Sequence, residues 1–217
     1  MKLSIYYRFS MALSALCILG FATTQPADAD IPSYTVIDLG TITNTPAGGG
    51  DSFTEARGIN NLGQVVGYQA VLRTSVSPYR NFGFRTAPNS PINPATDDIG
   101  ALASEGPINI PITFANGINK SGQVVGSSFG PNGQGAFRTA PNSPINPATD
   151  DLGTLGGNSS SATAINQSGQ VVGYSLTANR EAHAFRTAPN SPINPVTDDL
   201  GTLGGLASYA TAKLMNL

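Results

Sequence analysis

One string occurs three times in this chain of 217 residues. Residues 84–100 read FRTAPNSPINPATDDIG, residues 137–153 read FRTAPNSPINPATDDLG, and residues 185–201 read FRTAPNSPINPVTDDLG. Copies this long and this close mean that one structural unit is repeated, and the repeat must be placed before any residue is assigned a role. The three prolines of PNSPINP cannot donate to a β-ladder, so they must lie outside any sheet interior. The string therefore reads as a strand, a crossover loop and a second strand.

A second motif, I-N-x-x-G-Q-V-V-G, recurs at residues 59–67, 118–126 and 165–173. It reads as a β-hairpin. Asn60, Asn119 and Asn166 can bond the backbone two residues on and so nucleate the turn. Gly63, Gly122 and Gly169 supply the positive φ that a short loop needs. The Val-Val pairs make a strand apolar on both faces, as expected where a sheet is covered on both sides. Gly67, Gly126 and Gly173 then mark a bulge or the close approach of another backbone.

Together the motifs predict four short antiparallel strands per unit, in the order strand, tight turn, strand, variable loop, strand, proline loop, strand. The turn glycines set a period of 59 and then 47 residues. This pattern predicts an all-β, propeller-like repeat of four-stranded units. Three units are expected, at about 52–103, 113–157 and 160–205, within a domain spanning 30–217. A start strand at 34–42 matches the last strand of a unit (IDLGTI against DDLGTL). A truncated end strand is expected at 208–217, where Lys213 stands in the place of Ile165. Closed propellers have four to eight blades, so the expectation is an incomplete or open array. Only 11% of residues are charged, against 25 glycines and 16 prolines. That composition favours strands and tight turns over helices.

Residues 1–29 read as a secretory signal peptide. Lys2 and Arg8 form a basic start, residues 11–21 an apolar core too short for a comfortable membrane span, and Ala27-Asp28-Ala29 a cleavage site. The expected product is secreted to the extracellular space or periplasm, with no stable membrane anchor. Cleavage removes the single cysteine, Cys17, and leaves nine basic and twelve acidic residues. A nucleic-acid partner, which needs clustered basic residues, is not expected. Neither are disulfides or a thiolate metal site.

The sequence DLGTLGGNSSSATAINQSGQVVG at 151–173, followed by His183-Ala184-Phe185, resembles the extracellular HAF repeats, named for their His-Ala-Phe signature. The resemblance extends from about Tyr34 to Tyr209. The triplet is complete only in the third unit; the second has Gly135-Ala136-Phe137 and the first Phe82-Gly83-Phe84. The resemblance implies export and a β-rich propeller-like repeat, and it brings no catalytic residues.

Few residues suggest chemistry. Asp98, Asp151 and Asp199, each preceded by another aspartate, are candidate ligands for an ion such as Ca²⁺, which takes several oxygen ligands. Adjacent strand residues point to opposite faces, so loop-capping aspartates are the plainer reading. Arg85, Arg138 and Arg186 are expected to pair with a neighbouring unit's aspartate. His183, whose counterparts are Phe82 and Gly135, reads as a positional filler. Residues that break the repeat, including Glu55, Arg57, Glu105 and Glu181, fall mostly in variable loops. No nucleophile, zinc or phosphate-loop motif occurs.

The sequence thus points to a secreted, non-enzymatic β-repeat module, structural or binding, with no catalytic residues and no required cofactor. Its expected partner is an extracellular protein or glycan. A carbohydrate-binding or carbohydrate-cleaving propeller is the first alternative; cleavage would require two carboxylates about 5 to 9.5 Å apart. A truncated or decayed repeat without function is the second. Unpaired strand edges could support self-association.

Overall fold

The computed structural model describes residues 36–42, 52–71, 80–103, 112–130 and 133–211. Within the unit formed by residues 37–217, they form nine strands and, among the described residues, no helix. The leader at 1–29, Glu105, the connection at 72–79 and residues 212–217 lie outside that set.

Each hairpin motif builds the first two strands of a sheet, and the third strand follows the connection. The first sheet is β1 (Ser52–Ile59), β2 (Val65–Val71) and β3 (Arg80–Arg85). The second is β4 (Thr113–Ile118), β5 (Val124–Gly130) and β6 (Gly133–Arg138). The third is β7 (Gly156–Ile165), β8 (Val171–Thr177) and β9 (Ala182–Arg186). All three are antiparallel, with the middle strand of each sheet paired on both sides. The pairing is locked by the threonine that follows each FR. The Val65 amide donates to Thr86 Oγ1, Val124 to Thr139 and Val171 to Thr187, at 2.9–3.0 Å.

A bulge recurs in every first strand, between Ala56 and Gly58, Ala115 and Gly117, and Ala162 and Ala164. Opposite it stand Gly67, Gly126 and Gly173, where a Cβ would collide with a carbonyl of the first strand. The extra residue bends that strand onto its partner, and only glycine leaves room.

The sheets contain three strands, not the four expected. The D-[IL]-G segment touches its own sheet at a single residue, through the bridges Phe84–Asp98, Phe137–Asp151 and Phe185–Asp199. The Asp98 carboxylate accepts the Gly100 amide at 2.8 Å, and Gly100 has φ +76°. That tight turn ends the pairing and sends the chain across to the next sheet. There the Leu102 amide donates to Ser128 Oγ, and the Ile99 carbonyl accepts from Ile145. Each such segment is therefore a link between units. The expected start strand at 34–42 corrects in the same way. Its described part is not a strand; Gly40 donates to Asp38 Oδ1, and Leu39 O accepts from Ile92. At the far end, one parallel bridge, Ala182–Ala207, falls just before the expected strand at 208–217. Its described residues, to 211, form no strand, although the Ser208 amide donates to the Ala182 carbonyl and the Ala210 amide to the Gly173 carbonyl.

Successive sheets pack face to face, and the Val-Val pairs show how. In the middle sheet Val124 and Val125 are both fully buried, but in different clusters. Val124 joins Val66, Ile99, Leu102 and Ile118 between the first and second sheets. Val125 joins Leu152, Leu155, Ile165 and Val171 between the second and third. A smaller cluster holds Ile42 and Leu39 against Phe84, Ile92 and Val65 on the outer side of the first sheet. Among the described residues the three sheets form an open series and not a closed ring.

Candidate functional site

The turn residues build the joints between units. Asn60 Oδ1 accepts the amides of Leu62 and Gln64 at 3.0 and 3.1 Å, which makes the turn. Its Nδ2 donates to Gln64 Oε1 and, across the joint, to the Asn119 carbonyl. Asn119 repeats this towards the Asn166 carbonyl. Gly63, Gly122 and Gly169 have φ between +76° and +79°, and the side chains of Asn89, Asn142 and Asn190 fill the space where their Cβ atoms would be. Gln64 and Gln123 add bonds to Asn142 and Asn190 of the next unit. The motif Q-V-V-G contained these glutamines, but only their position beside the next unit's proline loop reveals the role.

Arg85 and Arg138 cross the same joints, with a different partner from the one expected. Their guanidinium groups donate to the Ser143 and Ser191 carbonyls of the next proline loop at 2.9 and 3.0 Å. The next unit's aspartate is already committed: Asp150 is buried and caps its own loop, accepting from the Asn146 amide and the Thr149 hydroxyl, as Asp97 does in the first unit. Burial pushes both guanidinium groups down from their usual pKa, and Asp97 and Asp150 partly offset it.

Asp98, Asp151 and Asp199 each accept the amide two residues on, at 2.7–2.9 Å. They sit on three different units, and the described residues contain no group of three or more His, Cys, Asp or Glu placed to hold a metal. Asp151 lines a cavity of about 280 Å³ between the second and third sheets, whose other walls include Gly135, Gly153 and Gly157. His183 is more than a filler. Its Nδ1 lies 2.9 Å from the Asp199 carboxylate, and its Nε2 lies 3.9 Å from Glu181. Burial alone would raise the Asp199 carboxyl, but the Gly201 amide and His183 outweigh it and hold it below the ordinary range.

Two of the residues that break the repeat are not in a loop. Glu55 and Arg57 lie on β1, and the bulge in each first strand brings the equivalent positions of successive units together. Strand register makes Glu55, Phe114 and Ser161 equivalent, facing Tyr68, Ser127 and Tyr174. Arg57, Asn116 and Thr163 are equivalent two residues on. The chain after the third sheet continues the series. Ser208 donates to the Gly201 carbonyl just as Ser160 donates to Gly153 and Thr113 to Gly100, so Tyr209 and Thr211 fall at the same two positions.

Glu55 and Ser161, with the Arg57, Asn116, Thr163 and Thr211 series, line an open groove of about 580 Å³. Its walls include Glu55, Arg57, Asn116, Ser161, Thr163, Tyr174 and Thr211. A relay of hydrogen bonds runs beneath it. Tyr68 donates to Glu55 at 2.6 Å and Arg57 to Glu55 at 3.0 Å. Arg57 also donates to Asn116 at 2.9 Å, and Asn116 to the Ala162 carbonyl at 2.8 Å. The relay thus spans all three sheets. The Arg57 guanidinium also lies over the Tyr68 ring, 4.8 Å from its centroid, and Tyr68 meets Phe114 edge-on. At the other end Tyr174 and Tyr209 stack edge to face at 5.1 Å. The Tyr68 hydrogen bond holds the Glu55 carboxyl below its ordinary range; burial opposes this and Arg57 adds to it. Burial, then Glu55, pushes the Tyr68 hydroxyl up.

Among the described residues Glu55 is the single carboxylate lining this groove. Glu181 and Asp199 converge instead on His183, outside the groove. The chain matches no family model, no curated protein and no solved structure. The likeness to the HAF repeats rests on the motif residues alone.

Proposed function

We propose that this chain is an exported, non-enzymatic binding module of propeller-like β-repeat units related to the HAF repeats, and that its recognition surface is the groove across the first strands. The supporting observation is where the copies differ. Scaffold positions are nearly identical from unit to unit, while Glu55 and Ser161 differ at one repeat position and Arg57, Asn116 and Thr163 differ at another, all lining one groove. A scaffold that only had to stack would not need them to differ. Glu55 is already engaged by Tyr68 and Arg57, an arrangement that orients donors and neutralises charge rather than one that leaves a free acid or base. Export rests on the basic start, apolar core and A-x-A site of residues 1–29.

The lining favours a glycan as the ligand. Amide, guanidinium and hydroxyl groups stand beside the Tyr174 ring, which offers an apolar body with a polar tip, and the Glu55–Arg57 pair leaves the groove nearly neutral. A glycan array probed with the secreted protein tests this. The expected result is a restricted set of bound glycans, weakened by Tyr174→Ala. An array without a bound glycan would overturn the glycan reading.

A further inference from the structure

The two ends of the sheet series carry one interface in two unmatched halves. Each joint has a trailing face, presented by the earlier unit, and a leading face, presented by the later one. The trailing face offers the two apolar residues of D-[IL]-G-x-L, with donors from Arg85 or Arg138, Asn60 or Asn119, and Gln64 or Gln123. The leading face offers Ile118 or Ile165, with acceptors on Asn142 or Asn190 and the following serine carbonyl.

Among the described residues no further unit covers the trailing face of the third unit. Leu200 is 52% exposed where its counterpart Leu152 is 3%, and Leu203 is fully exposed where Leu155 is 5%. Arg186, the counterpart of Arg85 and Arg138, is exposed. Among the described residues no further unit covers the leading face of the first unit. Ile59 is 57% exposed where Ile118 and Ile165 are 4% and 6%. Thr54 occupies the position of Thr113, Ser160 and Ser208, whose hydroxyls each donate to a glycine carbonyl of the segment in front. Its own Oγ1 is buried without a hydrogen-bond partner.

We propose that copies of this chain associate head to tail, the trailing face of one third unit seating on the leading face of the next copy's first unit. The contact repeats the two joints already built within the chain. Leu200 and Leu203 pack on Phe84 and Ile92, where Leu39 and Ile42 lie in one copy, the sheet that carries them covers Ile59, and Arg186 donates to the Ser90 carbonyl. Thr54 replaces Ser208 on the Gly201 carbonyl. Two short segments are exchanged for equivalents of the same register. Residues 199–203 of one copy take the place of residues 38–42 on the other, DLGTL for DLGTI, and β1 takes the place of residues 207–211. The contact is heterologous, since donors and acceptors lie on different faces, so it propagates unless the rotation closes a ring. Sheet faces make it, not the unpaired strand edges that the sequence alone suggests.

Sedimentation velocity on the secreted protein over a wide concentration range tests this, because the two faces can be disabled separately. Ile59→Asp blocks the leading face and Leu203→Asp the trailing face; both side chains are exposed in one copy. Wild type should grow with concentration beyond a dimer, or to a closed ring, and each variant alone should stay monomeric. An equimolar mixture of the two should form one-to-one dimers and nothing larger, because one intact face of each kind remains. Arg186→Glu replaces Leu203→Asp should the latter unfold, as read from its melting curve. A wild type that stays monomeric at every concentration overturns the proposal. So does a mixture that stays monomeric, or association that only one of the two substitutions disrupts.

Discussion

The Asn142 side chain lies where a Cβ on Gly122 would be. Gly122 has φ +79°, and the ideal Cβ position is 3.1 Å from Asn142 Nδ2 and nearer still to the rest of that amide. The glycine is thus required twice, once for its backbone and once for the room it leaves. Gly100 has nearly the same φ, +76°, with open space around it. Gly100→Ala should cost only the left-handed backbone, about 1–2 kcal/mol. Gly122→Ala should cost that plus the displacement of Asn142, about 1–3 kcal/mol more. Urea unfolding of the two variants measures the difference. Equal losses would mean that the proline loop does not dock on the turn.

Asn119 and Asn166 make the same turn, but only Asn119 reaches a following unit. Its Nδ2 bonds the Asn166 carbonyl at 3.2 Å and the residue is almost fully buried, whereas Asn166 is exposed. Asn119→Ala should therefore destabilise by about 1–2 kcal/mol more than Asn166→Ala, the worth of one buried hydrogen bond and the carbonyl left behind. Chemical denaturation of the two single variants checks the ranking.

Arg138 and Arg186 form a second matched pair. Arg138→Met removes a charged donor from the Ser191 carbonyl and should cost about 1.5–3 kcal/mol. Arg186→Met, on an exposed side chain, should stay within about 0.5 kcal/mol. The comparison is made at dilution, where copies are separate.

Tyr68→Phe should move the Glu55 titration upwards. In the folded chain the Tyr68 hydroxyl is the largest influence holding Glu55 low. A carboxyl depressed on folding contributes stability at pH values above its unfolded pKa, about 4.3. That contribution is lost as pH falls through the folded value. Removing the donor brings folded and unfolded values together and flattens this acid loss. The side-chain carboxyl carbon shift of Glu55, followed by NMR against pH, reports it directly; an unchanged midpoint would place the hydroxyl elsewhere.

The antiparallel all-β repeat was legible because its signals are local. The Val-Val pairs, the prolines and the glycines opposite the bulges each act within one or two strands. The link segments misled for a reason also visible in the sequence. D-[IL]-G-x-L has a strand's apolar residues, but aspartate two places before glycine is a turn signal, and in Asp98–Gly100 the turn outweighs the strand. The groove was harder to read. Glu55 and Arg57 stand out as breaks in the repeat, yet Arg57 meets Asn116 at a separation of 59 residues and Asn116 meets Ala162 at 46. Only the stacking of three sheets brings such positions together, and no local pattern encodes it. Charge is visible in a sequence and points Arg85 to an acid, whereas the Ser143 carbonyl that receives it is not visible there.

The central claim, that the repeat is scaffold and the groove is the recognition surface, is tested by giving the first unit the second unit's residues. Glu55→Phe with Arg57→Asn installs side chains that the same strand position already carries in β4. Titration of a glycan bound by the wild type should show binding weakened by about tenfold or more, or 1.4 kcal/mol, with cooperative melting retained. Unchanged affinity in a folded double variant would contradict the account and move recognition away from the groove.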